Sequence, residues 1–122
     1  MIKCFRNDMG GTAPISEFFV LKEVSCKCGE CRLTFISTEL LLLMDSLRRQ
    51  WKKPLKPNSV FRCQSHNRSL SNSSRFSAHC SGQACDWPLP IEGRDEFIKL
   101  VKDIFPFSYI GDGFIHAGLF NR

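Results

Sequence analysis

One amphipathic segment limits the folds open to this chain of 122 residues. Between Ser37 and Lys53 the apolar side chains recur at three- and four-residue spacing, and they are Leu40, Leu43, Met44, Leu47 and Trp51. This period predicts a helix with one buried stripe. Ser37 or Thr38 can act as the N-cap, and Pro54 ends the helix. The sequence therefore predicts a folded domain in which this stripe faces a core.

Further apolar segments predict strands and a second helix. Strands are expected at residues 59–63, 83–89, 107–110 and 114–120, and a helix at 92–105 with Phe97, Leu100, Val101 and Ile104 turned inward. Gly111-Asp112-Gly113 separates the last two strands and is a hairpin signal. Residues 64–78 are polar and are predicted to form a surface loop. The fold class predicted is α+β, with two main helices packed on a small antiparallel sheet.

Length and composition indicate a single domain. The chain is 43% hydrophobic and 24% charged, which is close to a globular average and unlike a disordered chain. Residues 1–16 are expected to form an irregular N-terminal arm, and residues 17–122 the domain itself. No apolar run approaches the roughly 18 residues of a membrane-spanning helix, so membrane insertion is not expected. The first residues also lack the apolar core of a secretory signal peptide.

The chain carries a formal net charge of +5, which favours an acidic partner such as nucleic acid, an anionic cell wall or a membrane surface. Its one basic run consists of Arg48, Arg49, Lys52, Lys53 and Lys56. These residues lie on and just after the predicted helix, where a solvated helix face explains them. Aromatic stacking positions and a groove-reading helix are missing from the pattern, so nucleic acid is not expected as a partner.

Seven cysteines are many for this length, and the odd number leaves at least one unpaired. Three of them lie in C-K-C-G-E-C, residues 26–31. That spacing is too tight for independent disulfides and suits thiolates that share a metal, with Cys4 as a possible fourth ligand. Reduced thiols buried as small apolar groups are the alternative. Cys80 and Cys85 could likewise form a disulfide with Cys63 or simply pack.

Two of the three histidines have informative neighbours. His79 precedes Asp86 by seven residues, and His116 lies in an apolar strand. Two imidazoles and one carboxylate, with a fourth position open, match a catalytic zinc site. Such a zinc lowers the pKa of bound water to about 7 and polarises a carbonyl oxygen. A strand histidine bonded to a backbone carbonyl is the alternative, and spacing alone does not separate the two.

The residues around His79 carry a longer pattern. Ser77 to Asp86 reads S-A-H-C-S-G-Q-A-C-D and fits S-x-H-x-x-G-x-A-x-D at all five fixed places. This segment resembles the zinc D-alanyl-D-alanine carboxypeptidases and the related L-alanyl-D-glutamate endopeptidases, which cut peptidoglycan stem peptides. Other segments are also similar to that family. Lys56 to Cys63 with His66-Asn67 resembles its S-x-Y-R segment followed by H-N, Phe114-Ile115-His116 resembles its last metal-binding strand, and Phe19 to Cys31 resembles its lead-in.

The resemblance implies a site and an activity. His79, Asp86 and His116 would bind one Zn²⁺, with the strands of Asp86 and His116 as neighbours. Arg62 would bind a substrate carboxylate or carbonyl oxygen, and Ser77 would contact the substrate or hold its loop. The implied enzyme is a monomeric zinc metallopeptidase that cuts peptidoglycan stem peptides or cross-links as a D,D-carboxypeptidase or endopeptidase. It would act on the cell wall and reach it without a signal peptide, as a phage endolysin does.

The general base is where this chain departs from the family pattern. Peptide hydrolysis needs a group that takes the proton of water and passes it to the leaving amine. Gly113 and Gly118 occupy the places where the family carries a carboxylate, so Asp112 is the candidate base, although aspartate also favours such turns. A zinc-stabilised cell-wall or peptide-binding module without a base is therefore the second hypothesis. A Cys-rich structural or nucleic-acid-binding domain is the third.

Overall fold

Two antiparallel sheets and two long helices make up the fold in this computed structural model, which describes residues 1–70 and 77–121. Strands β1 (Ile2–Arg6) and β2 (Leu33–Ser37) form the first sheet. The second has the order β3-β5-β4 and contains β3 (Ala84–Pro88), β4 (Phe107–Ile110) and β5 (Phe114–Gly118). The helices are α1 (Leu21–Val24), α2 (Thr38–Trp51), α3 (Gln64–Ser69) and α4 (Arg94–Ile104). The α+β prediction is confirmed.

Helix α2 begins and ends close to its predicted bounds. The backbone N–H of Leu40 donates to the Ser37 side chain at 3.3 Å, so Ser37 is the N-cap. Lys52 ends the helix in a left-handed conformation with φ +63°. The predicted stripe is confirmed: Leu40, Met44 and Leu47 are fully buried, and Leu43 and Trp51 pack against the core.

The core lies between these helices and one face of the three-stranded sheet. Trp51 of α2 meets Phe97 of α4 edge to face, with ring centroids 4.9 Å apart. From the sheet, Trp87 and the opposite Ile115 are fully buried. Burying side chains of this size contributes about 1.5–3 kcal/mol each. The core therefore fixes one face of β3 and β5 against the helices. The side chains on the opposite face of these strands are not part of this core.

Three segments differ from the sequence predictions. Ile2–Arg6 of the expected irregular arm forms β1, because it pairs along its whole length with β2. The predicted strand 59–63 makes only a single bridge, from Ser59 to Asp86. Part of the predicted surface loop 64–78 is helix α3, because the Cys63 sulfur accepts from the His66 N–H and caps it. The rest of that loop includes residues 71–76, which lie outside the described residues.

Helices of the described ranges are all too short or too polar to cross a membrane.

Gly82 joins the two sheets at a contact that leaves no room for a side chain. Its φ is +68°, and its carbonyl accepts a hydrogen bond from the Ser37 N–H at 2.8 Å. A Cβ on this glycine would lie 2.1 Å from the Phe35 carbonyl oxygen and 2.5 Å from the Ile36 Cα. Both are backbone atoms of β2, which cannot rotate away as a side chain can. The contact therefore positions the 3₁₀ turn Ala78–Ser81, which directly precedes Gly82.

We expect Gly82→Ala to destabilise the protein more than Gly113→Ala does. The two glycines have φ of +68° and +80°, so both substitutions force a left-handed alanine, at about 1–2 kcal/mol. Nothing lies within 4 Å of a Cβ at Gly113, whereas the backbone clash at Gly82 adds about 1–3 kcal/mol or more. Urea unfolding of the two variants beside the parent measures the difference. Equal losses of stability would contradict the steric role of Gly82.

Candidate metal centre

Asp86 of β3 and His116 of β5 lie opposite each other on neighbouring strands of the second sheet. They are direct partners in the register of β3 and β5, and Tyr109 of β4 is the next partner of His116. Side chains alternate between the two faces of a strand. Because Trp87 and Ile115 point into the core, their neighbours Asp86 and His116 occupy the opposite face. The predicted neighbourhood of these two strands is confirmed.

His79 reaches the same face from the 3₁₀ turn that Gly82 positions. The His79 N–H donates to the Ser77 side chain at 3.2 Å, so Ser77 caps the turn. The His79 carbonyl accepts from the N–H groups of Arg62, at 3.1 Å, and Gly82, at 3.2 Å. These bonds fix the backbone of the turn at both ends. Holding the loop was one of the two functions expected of Ser77.

The three side chains come together in a compact cluster. Asp86 Oδ1 lies 2.9 Å from His116 Nδ1 and 3.2 Å from His79 Nε2. The three available donor atoms all lie within 4.8 Å of one another. In a tetrahedral zinc site with bonds of about 2.0–2.2 Å, neighbouring donors are about 3.3–3.5 Å apart. The cluster therefore has the donor types and the spacing that one zinc ion requires.

The His79 ring is set up to act as a ligand. Its Nδ1 lies 2.7 Å from the Val60 carbonyl oxygen. A carbonyl can only accept, so Nδ1–H is the donor and Nε2 of the neutral ring keeps its lone pair. Among the described residues this buried Nε2 has no hydrogen-bond partner, and an unsatisfied buried polar atom costs about 1–3 kcal/mol. Nε2 also faces the Asp86 carboxylate at 3.2 Å. A cation between the two acceptors satisfies both.

Asp86 is charged in this setting. Burial raises the pKa of its carboxyl, but the hydrogen bond with His116 and the nearby His79 ring outweigh burial and bring the pKa below its usual value. Tyr109 stacks on His116 with ring centroids 4.7 Å apart and an interplanar angle of 19°. Burial and the Asp86 charge raise the pKa of Tyr109, so its phenol keeps its proton at neutral pH.

Arg62 borders the cluster on its carboxylate side. One terminal nitrogen lies 3.7 Å from Asp86 Oδ2 and donates to the Ser59 hydroxyl at 3.3 Å. The other donates to Asn67 Oδ1 at 2.9 Å. The side chain is only 10% exposed, and its Nε has no hydrogen-bond partner within the ranges that the structure describes. The guanidinium is therefore held in place by its two terminal nitrogens.

Asp112 lies apart from these residues. It is exposed in the turn between β4 and β5, which the Gly111 N–H closes by donating to the Phe114 carbonyl at 2.8 Å. The cluster of possible metal ligands does not include it. The hairpin prediction is confirmed, and Asp112 as general base stays a prediction.

Three residues of the site were not predicted from the sequence. Ser59 and Asn67 hold Arg62, and Tyr109 covers His116. Asn67 follows Arg62 by five residues in a segment already singled out, so its amide was a usable signal. Tyr109 depends on the register of the β4–β5 hairpin, in which it faces His116. Turn residues alone did not specify that register.

The cysteines form no disulfide. All seven are free thiols, so the pairings considered for Cys63 are absent. Cys85 is fully buried on the core side of β3, opposite in direction to Asp86, because side chains alternate between the two faces of a strand. Cys80 is half-buried and belongs to neither of the groups of possible metal ligands in the described part of the chain.

Comparison with known proteins gives one finding. The family model described as Peptidase M15 matches residues 17–116, a range that contains the His79, Asp86 and His116 cluster and Arg62. No curated protein matches the chain, and no solved structure does.

We expect His116→Ala to bind one zinc fewer per chain than the parent protein. The substitution leaves two protein ligands, and zinc sites of this kind use three. His66→Ala is the matched control, because His66 is the remaining histidine and lies on α3 outside the cluster. Elemental analysis after purification in zinc-containing buffer measures the content, with circular dichroism to check folding. An unchanged zinc content in a folded His116→Ala protein would contradict the site.

Proposed function

This chain belongs to the peptidase M15 family of zinc D-Ala-D-Ala carboxypeptidase-type peptidases, and we propose that it hydrolyses peptide bonds of peptidoglycan stem peptides or cross-links. One Zn²⁺ held by His79, Asp86 and His116 would serve the reaction. The cell wall would be the place of action, as for a phage endolysin. The proposal covers residues 17–122 as the peptidase domain.

One observation carries the proposal: the buried Nε2 of His79 stands without a hydrogen-bond partner among the described residues and faces the Asp86 carboxylate. A purely structural histidine would use both ring nitrogens in hydrogen bonds. Zinc bound there supplies a positive charge that acidifies water and polarises the scissile carbonyl. The backbone bond to Val60 holds His79 in the tautomer that this binding needs.

Arg62 would orient the substrate. Its guanidinium is fixed by Ser59 and Asn67 beside the cluster. Planar N–H donors form paired bonds with a carboxylate or a carbonyl oxygen. A stem peptide that ends in a free carboxylate, or the carbonyl next to the scissile bond, suits such a partner. Ser77 would either contact the substrate directly or act indirectly, by holding the His79 turn that it caps.

Asp112 would move the proton. A carboxylate in the turn between β4 and β5 can accept a proton from the attacking water as its oxygen bonds to the carbonyl carbon. It then delivers that proton to the amine nitrogen as the C–N bond breaks. Asp112 lies outside the cluster of possible ligands, so this step would need the β4–β5 turn to bring its carboxylate to the attacking water.

A peptide-binding module without turnover is the second candidate. The position of Asp112 outside the cluster favours it, because Asp86 is the cluster's one carboxylate among the described residues. Such a module would bind zinc and a cell-wall peptide and release no product.

We expect Asp112→Asn to lower turnover about 10²–10⁴-fold, the usual contribution of a general base, while zinc content stays unchanged. Asp103→Asn is the control, since Asp103 is an exposed aspartate on α4 that pairs with Lys99 and is not one of the possible metal ligands. Mass spectrometry of products from a stem pentapeptide and from a cross-linked dimer reports both rate and bond. Full activity in the variant would remove Asp112 as base. A zinc-loaded parent that binds these peptides and cleaves none would favour the binding module.

We expect Arg62→Lys to reduce kcat/KM about 10–100-fold, because a hydrogen bond to a charged group contributes about 1.5–3 kcal/mol. Lysine keeps the positive charge and loses the planar pair of donors. Arg68→Lys on α3 is the matched control, since Arg68 is exposed and makes none of the contacts of Arg62 described above. Steady-state kinetics on the better of the two peptides measures the effect. Equal kcat/KM for parent and Arg62→Lys would show that Arg62 does not bind the reacting part of the substrate.

A further inference from the structure

A second cluster of possible ligands lies outside the site described above. It consists of four cysteines, Cys26, Cys28, Cys31 and Cys63, whose sulfurs all lie within 4.8 Å of one another. Cys4, which the sequence offered as the fourth member, is exposed and is not part of it. That expectation was wrong, because Cys63 folds back against C-K-C-G-E-C from a position 37 residues after Cys26.

The distances between the sulfurs fit a shared metal and not disulfides. Cys28 lies 3.4 Å from Cys31, Cys26 lies 3.7 Å from Cys63, and Cys28 lies 4.0 Å from Cys63. A disulfide brings two sulfurs to about 2.0 Å. Four thiolates around one zinc at about 2.3 Å stand about 3.8 Å apart in a tetrahedron. The observed separations lie on both sides of that value.

The backbone around the sulfurs is arranged for thiolates. Cys28 and Cys31 have the C-x-x-C spacing of zinc sites, and Gly29 between them takes φ +76°. Backbone N–H groups donate to three of the sulfurs: Glu30 to Cys28 at 3.4 Å, Cys63 to Cys26 at 3.4 Å, and His66 to Cys63 at 3.3 Å. Donors aimed at a sulfur stabilise its ionised form, which is the form that binds metal.

We propose that Cys26, Cys28, Cys31 and Cys63 bind a structural zinc ion, separate from the His79, Asp86 and His116 site. Four protein sulfurs complete a tetrahedron and leave no position for water or substrate, which is typical of structural sites. Tetrahedral all-thiolate sites take zinc or iron, and the proposal is for zinc.

The proposed ion would stabilise the part of the chain that carries Arg62. Cys63 directly follows Arg62, and the Phe61 N–H already donates to the Val24 carbonyl at 2.9 Å. Binding of a structural metal adds to the free energy of folding, because the unfolded chain does not hold the four sulfurs together. The cluster would therefore hold residues 61–63 against residues 24–31, next to the guanidinium but without contact with substrate.

Metal content and cobalt spectroscopy test the proposal together. We expect two zinc per chain in the parent protein and one in the Cys28→Ser/Cys31→Ser double variant, with Cys4→Ser as the control that keeps two. Replacement of zinc by cobalt in the parent protein, which needs no mutation, should give the intense near-ultraviolet band of thiolate-to-cobalt charge transfer. The band should persist in His116→Ala and disappear in the double variant.

Three results would overturn the proposal. One is a cobalt-loaded parent protein without the thiolate band. Another is a thiol titration of the unfolded, metal-free parent that shows a disulfide within the cluster. The third is iron in place of zinc in the purified protein. The His116→Ala variant tests only the His79, Asp86 and His116 site, and the double cysteine variant tests only the cysteine site. Failure of the proposed peptidase and failure of the cysteine site are therefore distinguishable.

Discussion

The carboxylate of Asp86 is the charge around which the site is built. Two imidazoles and a guanidinium approach it, and each of these side chains is less exposed to water than Asp86 itself. Its backbone serves the same site, because the Asp86 N–H donates to the Ser59 carbonyl and its carbonyl accepts from the Asn58 N–H. Those bonds fix the segment that leads to Arg62. One residue therefore sets both the charge balance of the site and the path of the chain beside it.

The ten-residue pattern around His79 has a physical reason at each of its five fixed places. Ser77 caps the turn, and His79 and Asp86 face each other. Gly82 lies where β2 leaves no room for a Cβ. Ala84 is fully buried on the same face of β3 as Asp86, so a larger side chain would have to displace its neighbours. Two of these residues, His79 and Asp86, are candidate metal ligands, and the other three determine the shape of the backbone that carries them.

Local patterns predicted the parts of the fold that local forces decide. Helices α2 and α4 and strands β3 to β5 follow from apolar period, capping and turn residues. Three of the errors share a cause: β1, the bridge at Ser59 and the position of Cys63 depend on partners distant in the chain. The missed helix α3 is different, because its N-cap, Cys63, is local. The same limit applied at the site. His79, Asp86, His116 and Arg62 were identified through a motif, whereas Tyr109 followed only from the register of a hairpin.

The order β3-β5-β4 has a kinetic consequence. The middle strand is the last of the three to be synthesised, and β3 and β4 have no hydrogen bonds to each other without it. No two strands of this sheet can therefore pair before residues 114–118 have left the ribosome, and the β3–β5 pairing closes the loop of chain that runs from β3 through α4. A nascent chain that ends before β5 lacks His116 and presents Asp86 without its facing strand. The candidate ligands His79, Asp86 and His116 therefore come together only when β5 pairs with β3.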